Sequence, residues 1–122
     1  MPIVGFHHVS INVHDADLVR DFYVDVLGLE ELPRPDFGFP GHWLAKGAQQ
    51  LHLIQVPDHE PRERGPIGPH FALLVSRLDE VREELRARGF EVSEPFEIAG
   101  VGRQSFMKDP AGNVVELNEP VG

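Results

Sequence analysis

Apolar and polar residues alternate from Ile3 to Val13, the period of a half-buried strand. His8, Ser10 and Asn12 fall on one face. His7, Val9, Ile11 and Val13 fall on the other, more apolar face, which should pack under a helix. Asp15 or Asp17 can cap that helix by accepting orphan backbone N–H bonds. Val19, Phe22, Tyr23 and Val26 supply its apolar stripe, and Gly28 its stop. A strand over Leu29–Leu32 follows, then a lip over Pro33–Gly41 rich in Pro, Gly and Phe. Trp43–Ala45 and Gln50–Val56 read as a hairpin around Lys46-Gly47-Ala48.

The same order then recurs. His70-Phe71-Ala72-Leu73-Leu74-Val75 repeats the character of His8-Val9-Ser10-Ile11-Asn12-Val13, with Phe71, Leu73 and Val75 on the core side. Leu78, Val81 and Leu85 mark a helix that stops at Gly89, with Arg82, Arg86 and Arg88 read as its solvated face. Short strands are expected at Phe90–Val92 and Glu97–Gly100. Gln104–Lys108 and Asn113–Asn118 form a hairpin around Asp109-Pro110-Ala111-Gly112-Asn113, a strong turn signal. The repeat predicts an α+β domain of two βαβββ modules forming a curved-sheet funnel with helices outside. Module one spans 1–57 and module two 70–122 within a single domain. The four prolines of 57–69 make that stretch a linker, long enough for the modules to pack together or exchange between chains.

Composition narrows the chemistry. The chain has 122 residues and no cysteine, so disulfides, thiolate metal sites and cysteine nucleophiles are excluded together. Its formal net charge of −9 opposes nucleic-acid binding. No apolar run is long enough to span a bilayer and no basic-then-apolar leader opens the chain, so no membrane partner and a cytoplasmic location are expected.

Strand parity gathers the remaining chemistry. His52 and Glu116 occupy matching places in the closing strands of the two halves, as His8 and His70 do in the opening strands. In all four strands the metal-capable side chain lies opposite the residues best suited to burial. His8, His52, His70 and Glu116 should therefore line one surface and hold a divalent transition metal: Zn, Fe, Mn, Ni or Co. Glu116 or His52 would move a proton beside it. Ser10, Asn12 and Gln50 share that face and could position a small-molecule substrate. Phe37, Phe39 and Trp43 could form an apolar wall, and Arg103 could grip a substrate anion. His42 falls in a solvated turn or loop, from which it could approach the site from the lip.

The pattern resembles the vicinal oxygen chelate superfamily, which includes glyoxalases, bleomycin-resistance proteins, fosfomycin-resistance enzymes and extradiol dioxygenases. Its carriers run through nearly the whole chain: Phe6-His7-His8-Val9-Ser10, Phe22-Tyr23 with Leu27-Gly28-Leu29, Leu51-His52-Leu53, Pro69-His70-Phe71-Ala72, and Arg103-Gln104-Ser105-Phe106 leading into Asp109 through Leu117. The resemblance implies metal positions at His8, His52, His70 and Glu116, and a homodimer. It implies a metal-dependent lyase, isomerase or dioxygenase acting on a small oxygen-chelating metabolite. The alternative it implies is a dimeric binding protein of the bleomycin-resistance kind, without catalysis. Bacterial-type glyoxalase I resembles His-Glu-His-Glu at these places, whereas the second residue here is His52. The dioxygenase and fosfomycin branches use two His and one Glu, which leaves His52 either a fourth ligand or an adjacent acid/base group.

Overall fold

A computed structural model describes residues 1–60 and 68–122, so the linker segment 61–67 lies outside the described residues. The chain divides into two units, Met1–Pro61 and Arg62–Gly122. Each unit is a four-stranded mixed sheet with helix on one face, an α+β architecture. In unit one the strands are β1 (His8–Val13), β2 (Glu30–Leu32), β3 (Gly41–Lys46) and β4 (Gln49–Gln55), in spatial order β1-β4-β3-β2. In unit two they are β5 (Phe71–Leu74), β6 (Phe96–Ile98), β7 (Gly102–Lys108) and β8 (Val114–Pro120), in the order β5-β8-β7-β6. In both, the first strand pairs parallel to the last and the other neighbours are antiparallel. The βαβββ repeat is thus realised twice with one topology.

β1 begins at His8 rather than Ile3. It is an edge strand beside β4, which starts at Gln49, one residue before the partner of His8, so Ile3–Phe6 have no β4 residue to pair with. Val9 is 37% exposed for the same reason, while Val13 at the far end is fully buried. Phe90–Val92 forms no strand. Just beyond it Ser93 meets β7: its N–H donates to the Phe106 carbonyl at 3.0 Å and its Oγ accepts from the Phe106 N–H at 2.9 Å.

Helix α1 (Ala16–Asp21) starts at Asp15, whose carboxylate accepts from the Leu18 N–H at 3.1 Å. It passes into a π-helical turn over Phe22–Val26, a widening that the apolar spacing does not announce. Val19, Phe22 and Tyr23 are buried from this segment; Leu44, Leu51 and Leu53 are buried in β3 and β4. Helix α2 (Leu78–Ala87) buries Leu78, Arg82 and Leu85, while Val115 and Leu117 are buried in β8. Arg82 is therefore not part of the solvated face. It falls at i+4 from Leu78 on the buried stripe, lays its stem inward and donates from Nε to the Ser93 carbonyl at 2.8 Å. Both helical segments end on a glycine with positive φ, Gly28 at 78° and Gly89 at 92°. The next N–H returns to the helix in each case, Leu29 to Tyr23 at 2.9 Å and Phe90 to Leu85 at 3.0 Å.

The repeat extends to a device that ties each helix to its sheet. Gln55 lies three residues after His52, and its Oε1 accepts from the Ala16 N–H at 2.9 Å. Glu119 lies three residues after Glu116, and its Oε2 accepts from the Leu78 N–H at 2.9 Å. Each closing strand thus satisfies an orphan donor of its own helix while presenting the metal-capable residue on the opposite face. Replacing Gln55 by Ala should lower unfolding free energy by ~1 kcal/mol, read from urea denaturation. A second N-terminal bond, from Leu18 to Asp15, remains in that variant.

Candidate functional site

Register fixes which side chains share the face turned away from α1. Ser10 and Trp43 both lie opposite His52, and His8 lies opposite Gln50. Four of the predicted residues therefore stand beside His52 on one sheet face, and Asn12 continues the row. The His8 and His52 rings stack at 3.9 Å between centroids with 14° between planes. Trp43 stacks on His52 at 4.6 Å and 12°. His52 is buried, and its Nε2 donates to Gln50 Oε1 at 2.9 Å, which leaves the lone pair on Nδ1. Burial, then the neighbouring His8, His7 and Arg34, hold its pKa below the ordinary imidazole value, so this ring is neutral at pH 7. Neutral imidazole is the form that binds metal or accepts a proton. His7, expected on the opposite face, instead meets His8, Nδ1 to Nδ1 at 2.9 Å. It precedes the first paired residue of β1 and is free of that strand's parity.

The second unit holds the other predicted pair. Register sets Glu116 between Ala72 and Phe106 on the face turned away from α2. His70, just before β5, brings Nε2 to 3.1 Å from Glu116 Oε1. Its Nδ1–H donates to the Gly68 carbonyl at 2.9 Å, so Nε2 donates to Glu116 in the imidazolium and offers a lone pair there in the neutral ring. Glu116 is 7% exposed, and its other oxygen accepts from Asn118 Nδ2 at 2.7 Å. A lone pair facing a carboxylate oxygen across 3.1 Å becomes attractive when a proton or cation joins them. Two donors on one divalent ion, with bonds of ~2.1 Å near a right angle, lie about 3 Å apart. The His70–Glu116 pair therefore fits a metal.

The His8–His52 pair fits less simply. An imidazole lone pair lies in its ring plane, and two nearly parallel stacked planes do not meet at a common ion. One ring must turn for both to ligate. Within each unit, no group of three or more described His, Asp or Glu side chains is arranged to hold an ion.

Two sequence readings are corrected. Arg103 does not lie on the Glu116 face. β7 parity turns it toward α2, where its guanidinium donates to Asp79 at 2.8 and 3.1 Å and to Glu119 at 3.5 Å. This contact, through its hydrogen bonds first, holds the Asp79 carboxyl below its ordinary 3.8. A depressed folded-state pKa gives stability that is present above 3.8 and lost as pH falls through the lowered value. Arg103→Gln should therefore destabilise the protein at neutral pH, with the difference narrowing as pH falls below 3.8, and should leave ligand binding within about twofold. His42, placed in a solvated turn, lies within β3 on the α1 side and bonds Asp17 at 2.8 Å.

Asn118 and Gln50 act alike, each holding a candidate ligand from two positions along the same strand. The polar residue at that spacing is the sequence signal for Asn118. Asn118→Ala frees a buried carboxylate oxygen and should weaken divalent-metal affinity by about 10–100-fold, measured by equilibrium titration. The aromatic wall also assembles. Phe37 lies 6.0 Å from Phe39 and 5.8 Å from Trp43, with the Arg34 guanidinium 5.0 Å from both phenylalanine rings.

Two βαβββ units of one topology each carry metal-capable residues on the sheet face turned away from the helix. The chain belongs to the Glyoxalase/Bleomycin resistance protein/Dioxygenase superfamily, whose sequence model matches residues 5–117. It is 29% identical over 92% of its length to lactoylglutathione lyase GLX1 of Arabidopsis thaliana, and spans 43% of that relative. It superposes on TnmS3, an antibiotic binding protein from Streptomyces sp. CB03234, with TM-score 0.80, 29% identity and 99% of both chains covered. The fosfomycin resistance protein FosX of Listeria monocytogenes, in a mutant crystallised with Mn(II) and 1S,2S-dihydroxypropylphosphonic acid, shares the fold. There the TM-score is 0.80, the identity 19% and the coverage 98% and 94%. No helix among the described residues is long and apolar enough to cross a membrane.

Proposed function

We propose that the protein is a metal-dependent enzyme acting on a small molecule that presents adjacent oxygens to a divalent ion. The observation that carries this reading is Glu116, a buried carboxylate oriented by Asn118 and set 3.1 Å from Nε2 of His70. A carboxylate is costly to bury without such a partner. His70 and Glu116 would hold the ion together with His8, and His52 would join them by turning its ring or serve beside them as the neutral acid/base group. Bound there, a divalent ion would polarise substrate oxygens and acidify the neighbouring C–H bond or hydroxyl. Glu116 Oε1 would take up the proton released, and Gln50 would keep the His52 proton on Nε2. The chemistry is of the glyoxalase or dioxygenase type, carried out by a homodimer in the cytoplasm.

The second reading is a sequestering protein, which the exposed aromatic wall and the likeness to an antibiotic binding protein favour. Metal-free and metal-reloaded protein would be offered lactoylglutathione and catechol, with and without oxygen. The enzyme reading expects turnover that chelation abolishes and reloading restores. A ligand held at one per chain and recovered unchanged, whatever the metal, would favour sequestration instead.

A further inference from the structure

The lip and the sheet of unit one build a continuous run of rings. It passes Phe39, Phe37, Trp43, His52 and His8, with successive centroids 6.0, 5.8, 4.6 and 3.9 Å apart, and of these five rings His52 alone is buried. Register explains the Trp43–His52 step, since Trp43 lies opposite His52 across β3 and β4. The outer end is open, with Phe37 51% and Phe39 44% exposed. Core packing does not account for large rings left half in water.

The charge at that end is specific. Arg34 lies 5.0 Å from both phenylalanine rings and donates to the Phe39 carbonyl at 3.2 Å. Among the described residues no carboxylate pairs with it, whereas Arg20, the other arginine of residues 1–60, meets Asp17, Asp21 and Glu31. Gly41 makes room for it: a Cβ there would run into the Leu53 carbonyl and stand 3.0 Å from the Arg34 guanidinium. An uncompensated cation is thus seated beside an open aromatic surface in a chain of net charge −9.

We infer that the outer end of this run is a stacking surface for a flat, conjugated ring bearing an anionic oxygen, the ring lying against the near-parallel, exposed Phe37 and Phe39 and the anion meeting Arg34. Offset stacking favours a planar π-system over a saturated one of equal size, and the guanidinium selects its charge. The inference deepens the proposed function by naming the substrate class, and it rests on that reading only for what happens after binding. The other end of the run is His52 and His8, so a ring bound on the wall adjoins two of the candidate ligands.

Trp43 is the only tryptophan of the chain, so its fluorescence reports on the surface itself. Chelator-treated protein would be titrated with 1-hydroxy-2-naphthoate, following Trp43 emission with calorimetry alongside. The expected result is saturable quenching at one probe per chain, at least about 10-fold tighter than cyclohexanecarboxylate or uncharged 2-naphthol. Phe37→Leu and Arg34→Gln, checked for unchanged circular dichroism, should each weaken the naphthoate by about fivefold. Absence of saturable binding, or equal affinity for the saturated acid, would overturn the inference. Because the protein is metal-free in this titration, loss of the metal reading leaves its outcome intact, and the reverse also holds.

Discussion

Replacing Glu116 with Gln is expected to reduce divalent-metal affinity, and any turnover that depends on it, by at least about 100-fold. The substitution keeps side-chain volume and the neighbours Ala72 and Phe106, so the far-UV spectrum should not change. What it removes is the anion. A glutamine amide still offers an oxygen, but a neutral one, and its NH2 group placed toward His70 would meet the Nε2 lone pair as a donor. Asn118 now donates to Glu116 Oε2 at 2.7 Å; facing an amide it gives a weaker bond or forces a rotation. Metal content by elemental analysis after reconstitution measures the effect. Unchanged occupancy in the variant would remove Glu116 from the site.

The second large effect is on stability. Leu117 is 1% exposed, adjoins Glu116 in β8 and faces the α2 side, opposite Leu73 of β5 and Ser105 of β7. Leu117→Ala should lower unfolding free energy by about 2–5 kcal/mol, the cost of lost burial plus a cavity. The position matters because β8 has two tasks one residue apart. Leu117 anchors the strand on the core while Glu116 faces the site, so loosening the anchor should also raise the metal dissociation constant. Urea unfolding of metal-free protein isolates the stability effect. A loss under about 1 kcal/mol would show that the α2-side core repacks around the gap.

The repeat made most of the fold legible. Alternation and glycine stops were enough to place eight strands and two helical segments, because each half buries one sheet face and the period-two pattern records which. Edge effects were not legible. The unpaired residues before His8, and the absence of a strand at Phe90–Val92, depend on where a neighbouring strand begins and ends, which local pattern does not encode. Parity also sorted the site within each unit: Ser10, Gln50, Trp43 and His52 share one face, and His70 meets Glu116. Arg103 was judged by residue type alone, and the expected strand began at Gln104; β7 starts at Gly102, so strand parity applies to Arg103 as well. Arg82 and the π-helical turn depend on side-chain reach and packing. The stacking of His8 on His52 is a rotamer choice that spacing alone leaves open.

The central claim is that this chain's imidazoles and its buried acid hold a divalent ion. The most direct measurement is metal stoichiometry of untagged protein, stripped and then reconstituted separately with Mn, Fe, Co, Ni and Zn, beside His70→Ala prepared identically. The account predicts one tightly held ion per chain for at least one of these metals, and its loss in the variant. Empty protein with every metal, or an equal load in both proteins, would contradict it.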